Sequence, residues 1–523
     1  MPKRHLVVLF LAIAIALACY QVASRNRLAN LLTNATELMI HEGYYPVEED
    51  QLLVSAMDGM LTNVDPFSEF QYGNRAIERD EHLNQAYAGL GIRIRRDPKT
   101  RLIRIIKPMY DSPAKEAGIL AGDQINKIDG EEVAAMADSE DIEKRLKGPE
   151  GTTVQLEILR PQSSGAMQKL ELTVERRVIP TPSVVGDVPD ETGSWHFYLE
   201  QHPQIGYIRI LQFGMRTSDE LKAALKKIDG KVASLILDLR ENPGGLLPAA
   251  VEVSDQFLKD AGQTIVSIKD RQGNTEETYE STDGKTLLSS IPIVVLINQN
   301  SASASEIVSA CLQDHGVATI MGQRSFGKGT VQTQFSLPRP NTRLTLTTAS
   351  YWRPSGKNIH RLRWRSDSPL APPKIQDEEH WGVTPDPAFS VPLNLRDSTV
   401  LSFLYENRYL GIPEFEIDPA VKTALDRIGA STGGAPISAD MGVVRREEST
   451  NPQPPELDEE RPPADEVLDT AIEQQEKAAE QQRIANQVHW DDPRPLSERD
   501  PQMVRAIEWL TNTTVPAETD TPQ

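Results

Sequence analysis

The chain contains 523 residues, with 55 Lys and Arg against 76 Asp and Glu, and only two cysteines. At roughly 100–200 residues per domain, this length predicts three or four units with real hydrophobic cores. The net charge of −21 argues against nucleic-acid binding, because neutralising phosphates requires an excess of Lys and Arg. Cys19 and Cys311 are too few for a disulfide framework or a Cys-rich metal site, and the histidines lack paired metal-ligand spacing. We therefore expect no metal and no cofactor.

The first 26 residues have the pattern of an export signal. Residues 3–5 are Lys-Arg-His, an apolar run follows from Leu6 to Ala18, and residues 16–18 suit a small-x-small cleavage site. The run is shorter than the ~20 residues that span a bilayer, which favours a signal peptide. An uncleaved short anchor and a lipidated Cys19 are the alternatives. In each case we expect export to the periplasm or cell envelope, and the two alternatives would add membrane association through the N-terminus.

Two small units are predicted after this segment. Residues 27–80 carry apolar side chains at three- and four-residue spacing, for example at Leu28, Leu31 and Leu32, which predicts a helical region. Residues 86–177 switch to short alternating strands separated by glycines, which predicts a β-rich module.

Residues 190–390 have the pattern of a layered α/β domain. Three segments are nearly all apolar, as expected of sheet strands covered on both faces: 206–210, 234–239 and 293–297. Helical patterns lie between and after them, at 217–228, 249–259 and 304–314.

Residues 391–432 are predicted to be a C-terminal helical part, and residues 433–523 an acidic low-complexity tail. Residues 441–523 hold 19 Asp and Glu but 8 Lys and Arg, so about half of the net charge lies there. The Pro- and Glu-rich stretch from Asn451 to Pro463 predicts disorder. Asp500-Pro501 has the pattern of a helix start with Asp as cap and Pro at the first position, which allows short helices within the tail.

The first candidate for chemistry is the segment Ser301-Ala302-Ser303-Ala304-Ser305-Glu306, which directly follows the apolar strand 293–297. A serine at such a strand-to-helix junction lies at the carboxyl end of the sheet, where open α/β sheets bind ligands. The N–H groups of the following helix favour negative charge at that point. Taken alone, helix capping by one of these serines is the simpler interpretation.

The second candidate is a lysine between two glycines, in Ser325-Phe326-Gly327-Lys328-Gly329-Thr330-Val331-Gln332. Strand periodicity places Lys328, Thr330 and Gln332 on one face. A lysine buried beside a serine would have a lowered pKa and could act as a general base, with Gln332 holding the amine by a hydrogen bond. A surface lysine in a turn is the alternative. The third candidate is the turn Asn242-Pro243-Gly244-Gly245, whose N–H groups suit an oxyanion hole, although a plain turn explains it equally well.

Together these segments resemble the carboxy-terminal processing, or tail-specific, proteases. The match includes the separation of 25 residues between Ser303 and Lys328. Four further motifs occur in the family's order: Asp65-Pro66-Phe67-Ser68, Gly89-Leu90-Gly91-Ile92 with Gly122-Asp123, Tyr351 to Lys357, and Gly382 to Asp386. The resemblance covers residues 30–430 and implies a multidomain α+β and α/β protein, with a PDZ domain at 86–177 and a ClpP/crotonase-like α/β protease core at 190–390.

Carried over position by position, the resemblance implies Ser303 as nucleophile, Lys328 as general base and Gln332 as the residue that orients the lysine. The oxyanion hole would consist of the N–H groups of Ala304 and of Gly244 or Gly245. Asp314 would have a structural role near the site.

The implied PDZ domain would bind peptides through Gly89, Leu90, Gly91 and Ile92, which predicts protein or peptide substrates with nonpolar C-termini. A homodimer is compatible with the resemblance. The leading hypothesis is therefore an exported serine endopeptidase that forms an acyl-enzyme. One alternative is a catalytically inactive PDZ scaffold. The other is acyl-CoA chemistry on a related fold, which would need active-site glutamates and leaves the PDZ module unexplained.

Overall fold

The structure is a computed structural model that describes residues 13, 15, 27–97, 100–136, 139–190, 193–282, 291–363, 374–375, 381–410, 423, 488 and 494–514. The predicted export segment with Cys19, and most of the predicted acidic tail, lie outside the described residues. The chain divides into two compact units. One comprises Met1–Ile77, Gln332–Thr348 and Trp364–Pro372, and the other comprises Glu78–Val331, Ala349–Arg363 and Pro373–Gln523. None of the described helices is both long enough and apolar enough to cross a membrane.

The first unit consists of helices and of strands that pair on either side of β21. Its elements are α1 (Arg27–Glu42), α2 (Glu49–Leu61) and β1 (Glu69–Tyr72), and it includes most of β20 (Thr330–Ser336) and of β21 (Thr342–Trp352). Strand β1 pairs antiparallel with the start of β21, from Glu69 opposite Thr345 to Tyr72 opposite Thr342. Phe70, on β1, is fully buried, whereas several apolar side chains of α1 are exposed.

The second unit begins with a β-rich module that corresponds to the predicted residues 86–177. Its elements follow α3 (Asn74–Asn84) and are β2 (Ala86–Gly89), β3 (Ile92–Arg96), β4 (Ile103–Pro108), α4 (Pro113–Glu116), β5 (Gln124–Ile128), β6 (Glu131–Glu132), a 3₁₀ turn (Val133–Ala135), α5 (Ser139–Leu146), β7 (Thr153–Pro161), β8 (Met167–Glu175) and β9 (Arg177–Pro180). The sheet has the order β3-β4-β5-β7-β8, and β2 pairs with β9. Alternate residues of β7 are buried and belong to the same apolar core as residues of α5. This alternation is typical of a sheet with only one covered face.

The remainder of the second unit is an α/β layer. It contains β10 (Val184–Val185), β11 (Val188–Pro189), β12 (Trp195–His196), β13 (Tyr198–Leu199), β14 (His202–Ile210), α6 (Thr217–Ile228), β15 (Ser234–Asp238), α7 (Leu247–Asp255), β16 (Thr264–Lys269), β17 (Thr275–Glu280), β18 (Ile293–Ile297), α8 (Ala304–Asp314), β19 (Thr319–Gly322), β22 (Leu362–Arg363), β23 (Lys374–Ile375), a 3₁₀ turn (Pro387–Phe389), α9 (Leu395–Leu410), α10 (Leu496–Arg499) and α11 (Pro501–Thr514).

The central sheet has the order β10-β14-β15-β18-β19, and the neighbours from β14 to β19 are parallel. Every residue of β15 and β18 is buried, because both faces of the sheet are covered. Leu235 and Leu237 contribute to the core beneath α6, α7 and α8, whereas Ile236 faces the opposite side.

The opposite face of the central sheet is covered by α11. Met503, Ala506, Ile507 and Leu510 of this helix pack against alternate residues of β14, β15 and β18. A segment within the predicted acidic tail is therefore part of the hydrophobic core. Asp500 caps the helix by accepting from the Gln502 and Met503 N–H groups, in agreement with the Asp-Pro helix start in the sequence.

Candidate active site

Ser303 lies at the junction between the buried strand β18 and helix α8, where it is the N-cap residue. Its φ of 55° and ψ of −112° place a residue with a side chain in a sparsely populated region of backbone space. The serine is buried, with 6% of its surface exposed. Helix capping alone does not require this backbone conformation. The contacts around Ser303 must therefore hold it.

The hydrogen bonds of the neighbouring residues hold this strained turn. The Ala302 N–H donates to the Asn242 carbonyl at 3.0 Å, and Ser305 Oγ donates to the same carbonyl at 2.9 Å. Ser301 Oγ donates to the Leu239 carbonyl at 2.8 Å. The serine-rich segment is thus fixed on both sides of Ser303 to the turn that follows β15. Ser301 and Ser305 are structural, and Ser303 differs from them in its backbone conformation.

The Glu306 carboxylate connects Ser303 to the glycine-lysine loop. Its Oε2 accepts from the Ser303 N–H at 2.8 Å and from the Lys328 N–H at 2.8 Å. Its Oε1 accepts from Ser325 Oγ at 2.6 Å and from the Gly327 N–H at 2.7 Å. Glu306 is fully buried, and this burial raises its pKa to about 7 although the four donors act in the opposite direction. The one sequence signal for a role of Glu306 is its place three residues after Ser303, as in a capping box.

Close neighbours leave no room for a side chain at either of the two glycines beside Lys328. A Cβ at Gly327, whose φ is +85°, would come within 2.8 Å of the Trp381 ring. A Cβ at Gly329 would come within 2.2 Å of the His360 backbone nitrogen. Lys328 itself is half-buried between them. Its backbone is therefore enclosed in a narrow space, and it is fixed to the same carboxylate as Ser303.

The turn after β15 lies directly against Ser303. A Cβ at Gly244, whose φ is +99°, would come within 2.8 Å of Ser303 Cβ and 2.9 Å of the Ala304 nitrogen. The Gly244 N–H donates to Asn242 Oδ1 at 2.8 Å. Gly245 has a φ of +150°, and a Cβ there would meet the Phe213 carbonyl. The predicted oxyanion-hole residues Ala304 and Gly244 are thus brought together beside the serine, although the Gly244 N–H is used within its own turn.

Tyr351 also lies near the serine, a position that its motif in the sequence did not indicate. Burial raises the pKa of its phenol to about 12, although the Ser303 side chain acts in the opposite direction. Tyr351 is therefore a neutral neighbour of Ser303 across the physiological pH range.

Gln332 belongs to the first compact unit. There its side-chain amide donates to Thr347 Oγ1 at 3.3 Å, and that hydroxyl donates to Asp65 Oδ1 at 3.0 Å. Asp65 also accepts from the Phe67 and Ser68 N–H groups. The Asp-Pro-Phe-Ser motif is therefore a compact turn that fixes Thr347, which in turn positions the Gln332 amide.

Asp314 lies at the opposite end of α8 from Ser303. The helix has 11 residues, so the two positions are about 16 Å apart along its axis. Asp314 forms an ion pair with Arg353 and accepts from the Ser355 N–H at 3.0 Å. Burial would raise the pKa of this carboxyl, but the hydrogen bonds from Arg353 and Ser355 outweigh it and lower the pKa. These contacts join α8 to the segment after β21.

The β-rich module contains a groove of about 320 Å³ between β3 and α5, lined by Leu90, Gly91, Ile92, Ile94 and Leu146, among others. Strand β3 stands at the end of its sheet and pairs with β4. An extended peptide can add to such an edge. The predicted peptide-binding residues Gly89, Leu90, Gly91 and Ile92 all line this groove.

Within the part of the chain that the structure describes, no group of three or more His, Cys, Asp or Glu residues could hold a metal ion. The described residues of this site provide a serine, a lysine loop that is bound to Glu306, and the N–H groups at the start of a helix. This arrangement suits nucleophilic attack on a carbonyl carbon.

Comparisons with known proteins identify the family of this chain. Residues 204–370 match the model of peptidase family S41, and residues 82–159 match that of the PDZ domain. The carboxy-terminal-processing protease of Bartonella bacilliformis is 37% identical over 347 residues, which cover 65% of this chain and 75% of that protein. The carboxyl-terminal-processing protease of Synechocystis is 32% identical over 371 residues, which cover 69% of this chain and 82% of that protein.

Among solved structures, the photosystem II D1 C-terminal processing protease is 28% identical, with 68% of this chain and 85% of that chain covered at a TM-score of 0.35. The predicted resemblance is confirmed by the family models and the relatives, and the β-rich module is a PDZ domain. The chain belongs to the carboxy-terminal processing proteases, a group of serine-type peptidases in family S41.

Proposed function

We propose that this protein is an exported serine endopeptidase that binds nonpolar C-termini through its PDZ domain and cleaves through an acyl-enzyme on Ser303. The observation that carries the proposal is the shared Glu306 carboxylate, which ties the strained Ser303 turn and the Lys328 loop together beside Gly244. A helix cap alone would not require a buried carboxylate that also binds a lysine loop.

In the proposed mechanism, the neutral Lys328 amine accepts the proton of Ser303 Oγ while this oxygen attacks the scissile carbonyl carbon. The tetrahedral intermediate then collapses, the C–N bond breaks, and Lys328 returns the proton to the leaving amine. Water attacks the resulting ester, again with Lys328 as base, and releases the new C-terminus and free Ser303. Gln332 orients the lysine amine.

The oxyanion would accept from the Ala304 N–H at the start of α8, where the helix dipole also favours negative charge. The second donor is assigned to the turn after β15. Because the Gly244 N–H already donates to Asn242 Oδ1, the Gly245 N–H is the better candidate.

The PDZ groove supports recognition of a chain end. The terminal carboxylate would lie at the Gly89–Gly91 loop, the peptide would extend along the edge of β3, and its last side chain would enter the apolar groove beside Ile92. The apolar lining favours a nonpolar final residue.

Export and self-association are parts of the same proposal. The basic and apolar N-terminal sequence supports export, with membrane association if the segment is retained. The first described helix supports a homodimer, because Leu28, Leu31, Leu38 and Met39 are more than half exposed on it. Sedimentation of the protein without residues 1–26 would separate a monomer from a dimer.

Degradation of a reporter protein with a nonpolar C-terminal tail tests the catalytic proposal. Wild type should degrade this reporter and spare one whose tail ends in aspartates. Ser303→Ala and Lys328→Ala should abolish cleavage. Ser309→Ala is the matched control, because Ser309 is a buried serine of the same helix that donates to the Ser305 carbonyl. Activity retained in both Ser303→Ala and Lys328→Ala would refute the mechanism, and binding of the tail without any cleavage by wild type would favour a PDZ scaffold.

A further inference from the structure

Asp500, in the C-terminal segment, forms a buried ion pair with Arg240, which lies two residues before the turn at 242–245 beside Ser303. Asp500 is fully buried, and its Oδ2 accepts from Arg240 Nη1 at 2.6 Å and from the Tyr405 hydroxyl at 2.8 Å. Gln502 Oε1 accepts from the same Arg240 nitrogen at 3.1 Å. The two partners of the ion pair are 260 residues apart in the sequence.

Arg240 is held between two carboxylates. Its Nε and Nη2 donate to Asp238 at 2.9 and 2.7 Å, while Nη1 faces Asp500 and Gln502. Burial of the guanidinium acts to lower its pKa, but the charges of Asp238 and Asp500 outweigh burial and raise it. Asp238, buried with this arginine, has a pKa lowered to about 2, because Arg240 and Arg209 together outweigh its burial. Removing either carboxylate would therefore leave a buried arginine without one of its charged partners.

Arg240 lies just before residues 242–245, the turn that contributes to the proposed oxyanion hole and is called the oxyanion turn below. Arg240 is followed by Glu241, which has a positive φ of 59°, and then by Asn242, whose carbonyl accepts from Ala302 and Ser305. Two residues later, Gly244 lies against Ser303 Cβ. A displacement of Arg240 is therefore transmitted along four residues to the groups that line the proposed oxyanion hole.

The same C-terminal segment is held on the sheet by apolar packing of α11, so Asp500 reaches Arg240 only when this helix is docked. We infer that Asp500 is a positioning residue for catalysis: through Arg240, the docked C-terminal segment holds the oxyanion turn in its active geometry. This inference rests on the proposed function for its kinetic consequence, and on the ion pair for its structural consequence.

Asp500→Asn keeps nearly the same shape but removes the charge, and because both Asp500 oxygens accept hydrogen bonds it also places an amide N–H group against either Arg240 or the cap of α11. We expect kcat on the tagged reporter to fall by about 10- to 100-fold with KM changed less than twofold, as for a misplaced oxyanion donor. Binding of a peptide aldehyde, whose adduct oxygen would enter the oxyanion hole, should weaken by a similar factor. Ile507→Ala is the matched control, because it weakens the packing of the same helix two turns away from the ion pair.

Hydrogen exchange of the peptide covering residues 239–246 provides a readout that needs no cleavage. We expect faster exchange of this peptide in Asp500→Asn than in Ile507→Ala at matched melting temperature. Unchanged exchange, or a loss of kcat in Asp500→Asn no greater than in Ile507→Ala at equal folded fraction, would overturn the inference. If wild type did not cleave the reporter while the exchange difference persisted, the proposed function would fail and the positioning of the turn would stand.

Discussion

The Lys328 main-chain N–H donates to Glu306 Oε2 at 2.8 Å, which fixes the loop of the proposed base to the first turn of helix α8. The same oxygen accepts from the Ser303 N–H, so one buried atom links the two backbone segments that carry the proposed nucleophile and the proposed base. This relation gives a structural reason for a carboxylate three residues after the proposed nucleophile, where the proposed proton transfers do not require one.

Replacement of Glu306 by glutamine should strongly impair catalysis. The Gln amide would place a donor group against at least one of four existing donors, and the Ser303 and Lys328 loops would move apart. We expect kcat to fall by at least about 100-fold, the usual consequence of a displacement near 1 Å. The control is Glu252→Gln, the same change at an exposed position on α7. Activity within threefold of wild type in Glu306→Gln would contradict this account of the site.

The pH dependence of stability follows from the raised pKa of Glu306, which is about 7. The unfolded chain has the ordinary value near 4.3, so the folded protein binds the Glu306 proton more tightly than the unfolded chain does. The contribution of Glu306 to the free energy of unfolding should therefore fall as pH rises from about 4 to about 7, and stay constant above. Urea unfolding at pH 5 and pH 8 would show wild type losing stability relative to Glu306→Gln, and a relative gain would show that the four donors dominate over burial.

Gly329→Ala tests whether catalysis depends on the close packing of the lysine loop against the His360 backbone. The new methyl group would lie within 2.2 Å of the His360 nitrogen and 2.7 Å of its Cα, so backbone must shift on one side. We expect a loss of activity of about 100-fold together with a lower melting temperature. Gly59→Ala is the control, because that helical glycine has open space around it and no positive φ. Equal activities of the two alanine variants would show that Lys328 tolerates movement of its loop.

Much of the α/β layer could be predicted because its strands are covered on both faces. The runs Ser234–Asp238 and Ile293–Ile297 are fully buried, and such strands have apolar sequences without alternation. The helix predicted at 304–314 coincides with α8, whereas the helix predicted at 249–259 occupies Leu247–Asp255. The earlier start agrees with the preference of proline, here Pro248, for the first turn of a helix, which the apolar pattern does not indicate.

The roles of Glu306 and Asp500 could not be predicted in the same way. Three of the four donors to Glu306 lie 19 to 22 residues away in the sequence. A single chain likewise contains no signal for pairing Arg240 with a residue 260 positions away. The Asp500-Pro501 start of α11 was recognisable in the sequence. The acidic composition of the tail gave no reason to expect that Met503, Ala506, Ile507 and Leu510 of this helix are part of the hydrophobic core.

Thr347→Val tests whether the Gln332 amide is positioned by the Asp65 turn. Valine has nearly the shape of threonine and suits a strand, but it removes the hydroxyl that links Gln332 to Asp65. If Gln332 orients the lysine, kcat should fall by about 10-fold with little change in KM. Thr348→Val is the control, because its exposed hydroxyl contacts Thr333 on the neighbouring strand. Identical kinetics in both variants would show that the link from Gln332 through Thr347 to Asp65 does not contribute to catalysis.

Asp314→Asn tests the ion pair that joins the far end of α8 to Arg353. Both side chains are nearly buried, with 12% and 11% exposed, so the loss should lower the free energy of unfolding by about 1.5–3 kcal/mol at pH 7. The lowered pKa of Asp314 means that its stabilising contribution is present above about pH 4 and is lost as pH falls through the folded-state value. Denaturant unfolding of wild type and Asp314→Asn should therefore give curves that converge below pH 4, whereas Asp260→Asn, at an exposed position, should match wild type throughout. A difference between wild type and Asp314→Asn that persisted unchanged below pH 3 would show that packing around the side chain, and not its charge, stabilises this end of the helix.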